Sequence, residues 1–421
     1  MVFAEQRKRR LHRLIDLALV YRKCTKTELA GLLKRDHSRL YPDTDNPTLD
    51  LLVGLAEALE WPIDAVVQYL DTGSAPEGEQ ALDNEFETLD KAAREAHRAG
   101  QFKRMVEIAR RMFAVAKNSE ERARACNREH GGWDGLGRYT QALESTTRGV
   151  AQAPISNERR CQLQANLANT HWSLGDYTAA HAHSHVILDW YRKQSPASVV
   201  ERKNFAFALF VRGNTYRSMM LKETDNAGDL ARQAKRDLEM SLQKHDEMAT
   251  EFDDSRLAAI GNTCRAFLIE VDAELGLKSP TEAVNELLNG IEPPADAQED
   301  VVADWRESCG WWCITGASIA LRHLKGRPLQ QMVNTFTGRA LELAKQLDNW
   351  SLREQAFSLR FELQRNLSEL TGLEFNFAID QEDLRIITGT MGRFPRFRSI
   401  GWKILETAKV LQFSERKSRN A

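Results

Sequence analysis

Glycine and proline are scarce in this chain, at 24 and 11 of 421 residues. So few breakers argue against a fold of short strands and tight turns, and favour helices. No apolar run approaches the roughly 20 residues that span a bilayer, so no membrane partner is expected. The N-terminus, Met1 to Arg10, is basic but leads into no signal-peptide apolar core. A cytoplasmic location is the expectation. Six cysteines are scattered without a single CxxC pair, which removes a disulfide framework and leaves reduced thiols. Walker loops, glycine-rich dinucleotide loops and Gly-x-Ser-x-Gly elbows are all missing. No cofactor is expected, and the chain reads as a binding protein and not an enzyme.

What is present is a helical pattern in two parts. At 421 residues the chain is too long for one core, so two or more units are expected. Net charge is only −2, yet residues 1–41 hold 11 Lys/Arg against four Asp/Glu, and residues 42–70 hold six Asp/Glu and no Lys/Arg. A basic segment beside an acidic one aims one face at phosphate; an ordinary solvated helix surface is the competing explanation. Leu11, Leu14, Ile15, Ala18 and Leu19 recur at helical spacing. Thr25-Lys26-Thr27-Glu28 forms a capping box ahead of Leu29, Ala30, Leu32 and Leu33. The brief segment Lys34–Tyr41 is closed by Pro42. Helices then start at Asn46-Pro47-Thr48 and Trp61-Pro62-Ile63.

Five short helices carrying Glu28-Leu29-Ala30, Asn46-Pro47-Thr48-Leu49-Asp50-Leu51-Leu52 and Leu55-Ala56-Glu57-Ala58-Leu59 resemble the Cro/repressor helix-turn-helix family over about residues 8–70. The resemblance implies DNA as a partner, with the third helix in the major groove. Carried over by position, Lys26 approaches phosphate, and Lys34, Arg35, His37, Ser38 and Arg39 face bases or nearby phosphates. The arm Arg7-Lys8-Arg9-Arg10 adds phosphate or minor-groove contacts; a frayed charged terminus is the alternative. Two departures stand out. Leu33-Lys34-Arg35 occupies the turn where the family has glycine, and Pro42 cuts the third helix about one turn short.

Residues 71–81 read as a linker, with Gly73, Pro76 and Gly78 among acids. Beyond it a turn recurs three times: Ala99-Gly100-Gln101-Phe102, Leu136-Gly137-Arg138-Tyr139 and Leu174-Gly175-Asp176-Tyr177, each followed three residues later by Met105, Ala142 or Ala180. Glycine permits a left-handed helix end. This pattern resembles the tetratricopeptide repeat family of stacked helical hairpins. The expected organisation is therefore all-α: a five-helix head over 1–70, a linker over 71–81, an α-solenoid of tetratricopeptide-like hairpins over 82–375, and a helical cap and tail over 376–421.

Ala168-Asn169-Thr170-His171-Trp172, Gly213-Asn214-Thr215-Tyr216-Arg217 and Gly261-Asn262-Thr263-Cys264-Arg265 share one frame. In the repeat register Asn169, Trp172, Asn214, Arg217, Asn262 and Arg265 line a concave groove for a peptide or protein ligand. Asparagine amides match the donor and acceptor of a bound peptide unit, and the arginines grip acidic groups. Alternatively the asparagines bridge neighbouring helices. His181 and His185 share a helix face, but no third ligand is evident, and no metal is expected. The whole resembles, in architecture, the peptide-sensing regulators of bacterial quorum sensing. A transcriptional regulator, acting as a homodimer, is the leading expectation; an adaptor whose head has lost DNA contact is the alternative.

Overall fold

The computed structural model describes residues 2–44, 46–59, 63–71, 85–291, 299–372 and 377–410. Every regular element among them is a helix, and none is long and apolar enough to cross a membrane. The chain divides into two compact units, Met1–Leu82 and Asp83–Ala421. Of the expected linker, residues 72–81 lie outside the described residues, as do Trp61, Pro62 and the tail beyond 410.

The first unit is built from α1 (Val2–Arg22), α2 (Lys26–Leu32), α3 (Leu49–Leu59) and α4 (Ile63–Asp71). Leu11, Leu14, Ile15 and Ala18 form the buried stripe of α1 and meet Leu29, Leu51, Leu55 and Val66 in one core. The capping box opens α2 as its sequence dictates: Thr25 N–H donates to Glu28 Oε2 (2.7 Å) and Glu28 N–H to Thr25 Oγ1 (3.3 Å). Arg22 donates from Nε to the Ala58 carbonyl (2.7 Å) and from Nη2 to that of Glu57 (2.8 Å). Those bonds satisfy carbonyls left open at the end of α3.

At the end of α2, Lys34 adopts φ +51°. Its N–H reaches the Gly31 carbonyl (3.1 Å), and the Arg35 N–H reaches that of Ala30 (2.8 Å). This bond pair is the termination that glycine usually serves. The left-handed conformation costs a side-chain-bearing residue about 1–2 kcal/mol, against about 0.4–1 kcal/mol that glycine loses through its freer unfolded chain. Lys34→Gly is thus expected to stabilise this unit by about 0.5–1 kcal/mol. Amide exchange in α1 and α2 should slow about two- to fivefold; unchanged or faster exchange would contradict the strain.

Two expectations for this unit need correction. The third helix does not form: His37–Arg39 make a single 3-10 turn, so five helices become four and a turn. Asp36 Oδ1 accepts both the Ser38 N–H (2.8 Å) and the Ser38 hydroxyl (2.6 Å), diverting the segment from helical bonding. Pro42, buried beside the His12 ring, then ends it. Nor are Arg7, Lys8, Arg9 and Arg10 a separate arm. They belong to α1, where Lys8 lies 3.3 Å from Asp43, Arg9 lies 3.7 Å from Glu5 and Arg10 donates to the Leu70 carbonyl (3.3 Å).

The second unit is a run of antiparallel helix pairs: α5 (Phe86–Arg98) with α6 (Phe102–Val115), α7 (Ser119–Gly135) with α8 (Tyr139–Val150), α9 (Asn157–Leu174) with α10 (Tyr177–Lys193), α11 (Val199–Met220) with α12 (Ala227–Phe252), α13 (Ser255–Glu274) with α14 (Pro280–Asn289), and α15 (Glu299–His323) with α16 (Gly326–Gln346). Gly100, Gly137 and Gly175 end α5, α7 and α9 at φ +67°, +64° and +83°. Met105, Ala142 and Ala180 are buried between paired helices. The run ends in α17 (Trp350–Thr371), α18 (Gln381–Arg393) and α19 (Arg398–Thr407).

These last helices also bind back to the beginning of the run. Tyr139 Oη and Ser351 Oγ are 2.6 Å apart, and Arg393 Nε donates to the Leu136 carbonyl (3.3 Å). Tyr139 shares a core with Phe357, Ile387, Phe394 and Phe397. Trp350 lies against Gly137, where a Cβ would come within 3.0–3.2 Å of the tryptophan side chain. A clasp thereby joins residues more than two hundred positions apart.

Candidate functional site

Odd-numbered helices α5 to α17 turn one face each toward a cavity of about 590 Å³ within the second unit. Its wall is a continuous aromatic chain. Phe207 and Phe210 of α11 stack at 6.0 Å, Phe210 and Phe267 of α13 at 6.0 Å, Phe267 meets Trp311 of α15 edge-on at 6.4 Å, and Trp311 meets Trp172 of α9 at 5.9 Å. Phe102, Tyr139 and Trp350 complete the lining. Such pairs gain from edge-to-face and offset contact.

The six residues expected in a groove are divided by the structure. Asn169, Trp172 and Asn214 line the cavity. Trp172 Nε1 donates to Ser218 Oγ (3.0 Å), which fixes the ring. Asn214 Oδ1 accepts from Arg217 Nε (2.8 Å). Arg217 itself is not offered to a ligand: it is buried, paired with Glu270, and sits 4.0 Å over the Phe267 ring. Asn262 is buried and donates to Ser308 Oγ (2.7 Å), bridging α13 to α15. Arg265 is exposed and holds Asp246 at 2.5 Å, away from the cavity lining. On α13 it is Thr263 that faces inward. The register has moved by one residue, about 100° around the helix, so the row of asparagines is broken at its third member.

Residues that sequence reasoning passed over supply most of the lining. Phe210 and Phe207 precede Asn214 by four and seven positions, so counting back along that face finds them. Asp134 gave no such signal. It lies between Gly131 and Gly135, which also line the cavity, and among the described residues its carboxylate has no hydrogen-bond or salt-bridge partner. Burial pushes this carboxyl above the usual range, with His130 and His97 pulling the other way. Burial lowers His130, whose ring bonds Thr146 Oγ1 at 2.7 Å, and lowers His97, where Arg256 adds to the effect. The Tyr139 hydroxyl is raised by burial and next by Asp134. The site thus sets an aromatic wall beside one carboxyl that makes no ion pair, with the His130 and His97 imidazoles near it.

The candidate nucleic-acid side of the first unit is less organised. His37, Ser38 and Arg39 are exposed on the 3-10 turn, and Lys34 is exposed beside it. Arg35 donates from Nε to the Arg39 carbonyl (3.3 Å) at the surface of the same turn. Lys26 sits 5.1 Å over the Tyr41 ring.

The chain matches no known protein family and no curated protein. Function therefore rests on geometry. His181 and His185 do share a face, stacked at 5.8 Å, but His181 is engaged with the Tyr216 hydroxyl (2.8 Å). Among the described residues, no three His, Cys, Asp or Glu side chains gather as metal ligands do.

Proposed function

We propose that this protein is a ligand-responsive regulator: the second unit holds a ligand in its aromatic cavity, and the first unit is the output module, contacting nucleic acid. The cavity carries the reading. Its volume of about 590 Å³ lies within the range of sites that bury a small ligand or a short peptide, and an apolar lining with a few polar groups is the usual composition of such sites. Asn169, Asn214 and Asp134 supply those polar groups. The broken asparagine row favours a compact ligand over an extended strand. Aromatic rings and amides suit binding, which is why the protein is read as a binding protein and not an enzyme. The glycine-ended hairpins support a tetratricopeptide-like solenoid, and the capping box with its left-handed turn at Lys34 supports a helix-turn-helix-like head. Two such heads in a homodimer would multiply weak contacts.

With a 3-10 turn where a reading helix is expected, the head has little to present to base edges, so its contact is with the phosphate backbone. Duplex DNA of random sequence should bind the full chain at low salt, with affinity falling by about two to three powers of the salt concentration. Reversing charge at Lys34 and Arg39 together should lower that slope by about two. The same turn, and the internal engagement of Lys8, Arg10 and Arg35, also favour an adaptor reading in which the head docks on protein. Fluorescence anisotropy decides: no binding at any salt, by wild type and variant alike, selects the adaptor.

A further inference from the structure

Resting on the cavity reading, we propose that its ligand is a small organic ammonium, a cationic amine on an apolar body, held by Asp134 against the aromatic wall. The charges lining the space are unevenly matched. Asp348 has Arg353 at 2.6 Å, and Glu307 Oε1 accepts from Asn349 Nδ2 (3.1 Å). Arg256 lies largely exposed, with Asp254 at 3.9 Å. Asp134 alone, among the described residues that line the cavity, carries a charge with neither a hydrogen bond nor an ion pair. Asp134 is half-buried in the cavity wall, and beside apolar rings a carboxylate without a partner favours a cation brought next to it.

The aromatic wall suits the same charge. Ring faces attract cations, and the protein already uses this at the margins of the cavity. Arg217 lies 4.0 Å over Phe267, and Arg393 and Arg353 flank Trp350 at 3.6 and 4.3 Å. Those two rings are taken, whereas Trp172, Trp311 and Phe210 have no cation over them among the described residues. Gly131 and Gly135 line the cavity beside Asp134, and Gly135 lets the Phe102 ring come close. An anionic ligand would meet Asp134, Glu307 and Asp348, with Arg256 the one lysine or arginine among the described lining residues to offset them. A neutral apolar ligand would leave Asp134 unanswered.

Three probes of one shape test this: 2-phenylethylamine, 2-phenylethanol and 3-phenylpropionate, titrated into the full chain by calorimetry and by tryptophan emission. The amine should bind at least about tenfold more tightly than the alcohol, and the propionate least. In Asp134→Asn the amine should lose about tenfold in affinity, while the alcohol changes less than about twofold, its retention showing that the cavity is intact. Equal binding of amine and alcohol, preference for the propionate, or an amine affinity indifferent to Asp134→Asn would overturn the ammonium assignment and leave the ligand-binding reading standing. Binding of none of the three would overturn both.

Discussion

Replacing Arg217 with methionine is expected to destabilise the second unit by about 3–5 kcal/mol, because it strands a buried carboxylate. Side-chain exposure is 7% for Arg217 and 2% for Glu270. The guanidinium also donates to Asn214 and covers Phe267. Arg217 donates to Glu270 Oε2, and Oε1 has no hydrogen-bond partner among the described residues. Methionine keeps much of the contact with Phe267, so the loss reports the charge and not the volume. Removing both charges, as Arg217→Met with Glu270→Leu, should recover most of the stability, since an apolar pair of similar size often replaces a buried ion pair at little cost. Urea unfolding followed by circular dichroism measures all three chains. A single-variant loss below about 1 kcal/mol would mean the pair is solvated. The site feels the change too: Asn214 and Phe267 both line the cavity, so Arg217→Met should weaken ligand binding in the chains that remain folded.

How far the sequence discloses the protein depends on how far apart its partners are. Local signals are legible. Thr25 and Glu28 are three residues apart and form the box their types demand; glycines 100, 137 and 175 end helices because only a few residues around them decide it. The missing third helix was partly legible through Pro42, but not through Asp36, whose side chain wins the Ser38 amide only once the turn exists. The clasp was not legible. Tyr139 and Ser351 are separated by 212 positions, and no periodicity records such a pairing. The same holds for the cavity. Phe207, Phe210, Phe267 and Trp311 look like core at helical spacing, and only the arrangement of three helices turns them into a wall. Arg217 and Asn262 were misplaced because a shared frame fixes the face of a helix only to within a residue, and one residue separates a groove from a helix interface.

Acid should destabilise the second unit through His245, in a window set by that imidazole's environment. His245 is fully buried on α12, with Nδ1 at 2.8 Å from the Ser241 carbonyl and 3.1 Å from its hydroxyl. Burial pushes its pKa down from 6.5 to about 4. The other charge facing it is Lys203 of α11, which pairs with Asp254 at 3.1 Å. Because the folded value lies below the unfolded one, the unfolded chain takes up the proton first as pH falls. The contribution is therefore complete above about pH 6.5 and is lost on acidification toward about pH 4. Between pH 7.5 and 5 the loss amounts to about 2 kcal/mol. His130, lowered by burial, acts in the same direction, and Asp134, raised by burial, acts in the opposite one. His245→Asn removes one titration and leaves those two in place. Its stability should fall by about 2 kcal/mol less than wild type over the same interval. Parallel curves for the two proteins would place the His245 ring in contact with water, and with it the packing of α12 against α11 that its burial reports.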